Sequence, residues 1–176
     1  MLYLLRHLAS ILLLPFTVTV IVPLWLLSSE PDRNSPPQIP TVRVLVLAAG
    51  AAALLLGLTL FISTVLHFAR TGGGTLAPWD PPRVLVVRGV YRYVRNPMIS
   101  GVLFVLLAEA LLTGSRRMLV WFVLFFVINL LYIPLLEEAG LAKRFGERYR
   151  LYKENVPRWI PRLTAWVPPW DAANEG

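Results

Sequence analysis

Apolar residues gather into four stretches along this chain, at residues 8–27, 44–66, 98–115 and 118–136. Each approaches or exceeds the roughly 20 residues that a helix needs to cross a hydrocarbon core about 30 Å thick. The first, second and fourth hold no charged side chain, and the third holds only Glu109. Between the first two lies SSEPDRNSPPQIP (28–40), polar and proline-rich, which predicts an irregular connection. The second is followed by TGGGT (71–75) and LAPWDPP (76–82), a connector and then a proline-stiffened extended path. Gly114 to Arg117 predicts a tight turn that folds the third and fourth stretches into an antiparallel hairpin. Beyond residue 136 the pattern becomes amphipathic. At 100° per residue Glu137, Glu138, Leu141, Phe145, Arg148, Tyr149 and Tyr152 share one face, with Lys143, Glu147, Arg150 and Lys153 opposite. The expected fold class is all-α: an integral membrane bundle of four transmembrane helices with a cytoplasmic C-terminal amphipathic helix, forming a single domain over 1–176.

Local residues refine these helices. Pro15 and Pro23 predict a bend in the first, which neighbouring helices in lipid can accommodate. Gly50, Ala51, Ala52, Ala53 and Gly57 predict close approach of another helix to the second. Pro97 suits the first turn of the third. Glu109 is costly in lipid, so it should face protein or water in a hydrogen-bonding role near the far end of its helix.

Composition agrees with a membrane protein. The 176 residues are 56% hydrophobic and 15% charged, with mean hydropathy +0.62, outside the range of ordinary soluble domains. Arg6 and His7 precede the first apolar run, but its length and the lack of a small-residue cleavage site mark it as a helix and not a signal peptide. There is no cysteine, so disulfides, thiolate metal sites and cysteine nucleophiles are excluded, and no metal is expected. The net charge of +7 would suggest nucleic acid in a soluble chain. Here its distribution points to membrane lipids and no nucleic acid. Arg6, the arginines from Arg70 to Arg95 and the basic residues from Lys143 to Arg162 fall on one side of a four-pass threading, and only Arg33, Arg43, Arg116 and Arg117 on the other. The positive-inside rule then places both termini and the loop at 68–97 in the cytoplasm, where a basic face suits anionic headgroups.

Candidate chemistry concentrates at RGVYRYVRNPMISG, residues 88–101, where arginines, tyrosines and a proline meet the start of an apolar helix. Arg and Tyr at such a boundary can simply anchor a helix to headgroups. The spacing G-x-Y-x-x-x-R-N-P-x-x-x-G, however, resembles the G-x-Y-x-x-x-R-H-P-x-Y-x-G signature of the isoprenylcysteine carboxyl methyltransferase and phospholipid methyltransferase superfamily, integral membrane enzymes that use S-adenosylmethionine. Gly89, Tyr91, Arg95, Pro97 and Gly101 match, while Asn96 replaces the usual histidine and Ile99 the usual tyrosine. A second motif, E-E-x-x-L-x-x-x-F-G-x-x-Y-x-x-Y-x-x-x-V-P-x-x-I-P from Glu137 to Pro161, is similar to the other half of that signature. The resemblance covers residues 74–161.

The resemblance implies S-adenosylmethionine as cofactor, with contacts from Arg83, Val84, Leu85, Val86, Tyr91, Arg95, Asn96, Pro97, Met98, Ile99, Glu137, Glu138, Tyr149 and Tyr152. Glu137 or Glu138 would hold the ammonium, unless both glutamates pair with Arg88, Arg92 or Arg95 as a structural ion cluster. Enzymes of the resembled family that act on prenylated cysteine carry an arginine four residues before the cofactor-binding glutamate, and this chain has Ile133 there. A lipid-like or small hydrophobic methyl acceptor is therefore expected. The alternatives are a carboxyl O-methyltransferase of the isoprenylcysteine type and a non-catalytic membrane scaffold or lipid-binding protein. A transporter is disfavoured by a single intramembrane carboxylate and no paired broken helices.

Overall fold

The computed structural model describes residues 12–29, 39–71 and 85–172, and among these every regular element is helical. A π-helical run, Leu12–Ile21, passes into α1, Val22–Ser28. The remaining α-helices are α2 (Pro40–Thr71), α3 (Pro97–Thr113), α4 (Arg116–Tyr132), α5 (Glu138–Phe145), α6 (Glu147–Asn155) and α7 (Pro169–Ala172). A 3₁₀ turn at Gly89–Arg92 precedes α3, and a π-helical turn at Ile133–Glu137 joins α4 to α5. Two rods are long and apolar enough to cross a membrane, Pro40–His67 and Arg116–Phe145, whereas Pro15–Ser28 and Pro97–Thr113 are apolar but shorter.

Where the two prolines predict a bend, the first helix adopts a π register. That register would pair the Val18 carbonyl with the N–H of residue 23, but Pro23 has none. The indole Nε1 of Trp121 supplies the bond instead, at 3.1 Å, and so ties this helix to α4. At the other end, Arg117 donates to the Ser29 carbonyl and hydroxyl.

The small residues of α2 meet α3 as expected. A Cβ at Gly57 would lie 2.8 Å from the Gly101 carbonyl oxygen, and one at Gly101 would lie 2.9 Å from the Gly57 carbonyl oxygen. The two backbones are in direct contact, which only a glycine pair permits. Farther along, Gly50 receives the Leu112 side chain. The hairpin turn is made by Gly114, which ends α3 at φ 64°, and by Ser115, whose Oγ caps α4 by accepting from the Met118 N–H at 3.2 Å. Val102, Leu106, Ala110 and Met118 form the core between these helices and the first.

The structure corrects the expectation of one continuous amphipathic helix after residue 136. Gly146, at φ 52° and ψ −126°, breaks it into α5 and α6, a conformation essentially reserved for glycine. Glu137, which ends the π turn, is exposed while Glu138, which opens α5, is buried, although a single helical projection puts them on one face. The tail folds back over this end of the bundle, carrying Trp166 and Trp170. Both pack against the core of Val87, Tyr149, Tyr152 and Val156.

Candidate active site

The motif loop from Leu85 to Asn96 lies at the end of the bundle where α2 finishes, α3 begins and the π turn after α4 ends. The tail after α6 runs across it as a strap. Arg95 N–H donates to the Pro157 carbonyl at 2.8 Å, Arg162 N–H to Tyr93 at 3.0 Å and Trp166 N–H to Arg92 at 2.9 Å. The Tyr152 hydroxyl donates to the Tyr91 carbonyl at 2.8 Å, and Arg95 Nε to the Val156 carbonyl at 2.7 Å. Arg92 reaches Asp171 at 3.2 Å. A loop without strand or helix partners thus has its backbone groups satisfied by the strap, as burial demands.

Charge is divided unequally between the two glutamates. Glu138, with its side chain 3% exposed, pairs with Arg95 at 2.7 Å, Arg158 at 2.7 Å and Lys153 at 3.0 Å. One carboxylate against three cations leaves a local surplus of positive charge. Glu137 forms no ion pair among the described residues, and its charge bears on Tyr91. Burial, followed by that charge, holds the Tyr91 phenol well above its ordinary pKa. Burial likewise raises Tyr152, with Tyr91 contributing next. Tyr149 is pushed up to about 12, by burial first and by Glu138 second. All three phenols therefore keep their protons at neutral pH and remain donors.

The sequence-predicted site residues distribute as follows. Tyr91, Arg95, Asn96, Glu137, Glu138, Tyr149 and Tyr152 converge on this end of the bundle. Pro97 is buried in the first turn of α3, with Met98 and Ile99 half-buried beside it. Leu85 and Val86 lead into the loop, Leu85 packing on the Tyr149–Tyr152 core. Arg83 and Val84 lie outside the described residues. The Asn96 side-chain nitrogen is buried and has no hydrogen-bond partner, so a donor at the motif's altered position is left for something else. Glu109, expected to hydrogen-bond, has a buried Oε2 without a partner and sits far from the site.

Sequence reasoning missed Arg158, Lys153 and Asp171, which complete the charge pattern, and His67, whose ring lies 5.7 Å from that of Tyr91. Arg158 occupies a variable slot inside the second motif, and nothing local in sequence signals its partner.

Comparison with known proteins decides the family. The phospholipid methyltransferase family matches residues 45–148, more than half of the chain. The chain belongs to this family of membrane-associated methyltransferases. It is also 36% identical over 74 residues to a methanethiol S-methyltransferase of Pseudomonas deceptionensis, a match covering 42% of this chain and 27% of that relative. No solved structure matches. The family match runs from α2 to the start of α6, so it contains the motif loop, both glutamates and the close contact of α2 with α3.

Proposed function

We propose that this methyltransferase moves a methyl group from S-adenosylmethionine to an apolar acceptor at the cytoplasmic edge of a membrane that it crosses four times. The observation that carries the reading is the separated pair of glutamates. Glu138 is consumed by three cations, while Glu137 stays outside that knot beside Tyr91.

The residues present fit the cofactor's parts. Glu137 is the uncommitted acid for its ammonium, and the surplus positive charge around Glu138 suits its carboxylate. Tyr91 and Tyr149 offer ring faces to the sulfonium, each contributing about 0.5–2 kcal/mol. Leu85, Val86, Met98 and Ile99 offer apolar surface for the adenine, and the orphaned Asn96 amide offers a donor to a polar edge. When bound, the cofactor supplies an electrophilic methyl group on a sulfonium sulfur. What the chain contributes is alignment and exclusion of water, and the strap over the motif loop serves both.

The acceptor reading rests on the rim. Leu135 and Leu136, beside Glu137, are exposed, as are Ile160 and Leu163 on the strap, so an apolar molecule can approach from lipid. Ile133 is fully buried, and an alkyl side chain offers no donor to a substrate carboxylate. The thiol methyltransferase relative supports a small apolar thiol.

The test is calorimetric titration of the purified protein with S-adenosylhomocysteine, followed by an assay with radiolabelled S-adenosylmethionine. That assay offers 1-hexanethiol, extracted membrane lipids and N-acetyl-farnesylcysteine side by side. Binding in the first and label in the thiol or lipid fraction are expected. Absence of binding would leave a non-catalytic membrane protein, and base-labile ester on the farnesylcysteine alone would replace the acceptor by a prenylcysteine carboxyl group.

A further inference from the structure

Between Arg158 and Asp171 the strap reads WIPRLTAWVPPW, and Arg162 is its one charged side chain. That charge is turned back onto the protein, donating to the Asn155 carbonyl at 2.8 Å. The backbone is committed inward as well, since the N–H groups of Arg162 and Trp166 donate to the carbonyls of Tyr93 and Arg92 in the motif loop. Pro161, Pro168 and Pro169 have no N–H to hydrate. What remains on the outer edge is apolar. Leu163 is 99% exposed and Ile160 72% exposed, with Val167 exposed beyond them. A leucine this bare gains nothing from the chain's own packing, so whatever buries it comes from outside the chain.

The two ends of the strap indicate what that is. At its start, Trp159 meets Phe126 of α4, with ring centroids 6.2 Å apart. Phe126 belongs to a rod long and apolar enough to cross a membrane. It stands about 15 Å along the helical rise before Glu137, the first charged residue after Arg117. The strap therefore sets out against the apolar flank of α4, where Val123, Val127 and Leu130 are exposed in their turn. At its other end the Arg148 guanidinium lies 5.6 Å over the Trp170 ring, and Lys143 and Arg144 are exposed on α5. An apolar edge that continues a spanning helix and is bordered by cations matches a lipid leaflet, with acyl chains on one side and anionic headgroups on the other. A second copy of the chain would cover the edge but would leave the bordering cations without a purpose.

We infer that the outer edge of the strap, from Ile160 to Val167, is a membrane-dipping surface seated among phospholipid acyl chains just beneath the headgroups of the leaflet on the site's side. The assignment rests on the membrane-crossing reading of α4. Held by lipid along its outer edge and bonded to Arg92 and Tyr93 along its inner one, the strap fixes the motif loop at headgroup level. Ile160 and Leu163 are then where an acceptor dissolved in the leaflet first meets the protein.

The experiment exploits the absence of cysteine. Leu163→Cys and, separately, Val167→Cys are labelled with bimane and placed in nanodiscs of phosphatidylcholine and phosphatidylglycerol. Leu124→Cys on α4 and Glu147→Cys on α6, both at exposed positions, serve as the lipid and water controls. Lipids carrying a nitroxide near the carboxyl end of the acyl chain should quench both strap labels. Aqueous iodide should quench the label on α6 and spare those on the strap. No turnover is needed, so the outcome is independent of methyl transfer. Iodide quenching of the strap labels without nitroxide quenching, while the α4 label responds to nitroxide, would overturn the inference alone. Protection of the strap labels from both quenchers would overturn it in favour of a second copy of the chain on that edge. An α4 label that no nitroxide lipid quenches would remove the membrane-crossing reading and the inference with it.

Discussion

Adjacent glutamates meet opposite fates here because the chain turns between them. Pro134 has no N–H to donate, and the π turn at Ile133–Glu137 re-aims the following residues so that Glu138 points inward as α5 begins. Removing Glu138 strands Arg95, whose side chain is 8% exposed, so Glu138→Ala should destabilise the fold by about 3–5 kcal/mol. Lys153 is 49% exposed, and Lys153→Ala should cost less than about 1 kcal/mol. Thermal unfolding in nanodiscs reads both, and equal losses would mean that the knot is not organised around Glu138. For Glu137→Ala the expected change is in binding: S-adenosylhomocysteine should lose at least tenfold in affinity, as a charged partner worth about 1.5–3 kcal/mol disappears, with the melting temperature held. Unchanged affinity would remove Glu137 from the site. At this scale the sequence announces that two carboxylates stand near arginines and tyrosines. It does not announce which one is neutralised, because Lys153 and Arg158 arrive from beyond the break at Gly146.

Helix contacts were more legible than helix continuity. The glycines and alanines of α2 forecast a close neighbour, and Gly57 against Gly101 is that contact, made backbone to backbone. The break at Gly146 was not forecast, because a glycine inside an amphipathic repeat reads the same whether it continues a helix or ends one. Its positive φ distinguishes the two. Glycine substitutions separate these situations experimentally. Gly57→Ala and Gly101→Ala each push a methyl to within 3 Å of backbone atoms and should cost about 1–3 kcal/mol. Their effects should fall short of additive in the double variant, since one separation of the helices relieves both. Gly140→Ala, inside α5 with nothing within 4 Å of the added carbon, should instead raise stability by roughly 0.5–1 kcal/mol. Melting temperatures of the three single variants and the double check the order and the non-additivity, and a neutral Gly57→Ala would show that α2 and α3 are not locked at that crossing.

Across the whole molecule, the strap and the hairpin mark two opposite poles. The α3–α4 turn at Gly114 and Ser115 is one pole, and the motif loop under the strap is the other. The path of the strap was invisible in the sequence, since its backbone bonds to Tyr93 and Arg92 span about seventy residues and no local pattern encodes them. The basic residues bear on the proposed direction of the molecule. Arg92, Arg95, Lys153, Arg158 and Arg162 cluster at the site pole, while Arg116 and Arg117 mark the turn. In the proposed four-pass topology the positive-inside rule would put the site in the cytoplasm, where the proposed cofactor would reach it from solution and an apolar acceptor through lipid. Because the chain has no cysteine, single replacements report this without background. In intact cells an impermeant maleimide should label Arg116→Cys at the turn and leave Glu147→Cys, exposed at the start of α6, protected until the membrane is opened. If both positions label from outside, or both only after opening, the α3–α4 hairpin does not cross the membrane. If the pattern is reversed, the site faces away from the compartment that holds the cofactor, and the proposed reaction fails with it.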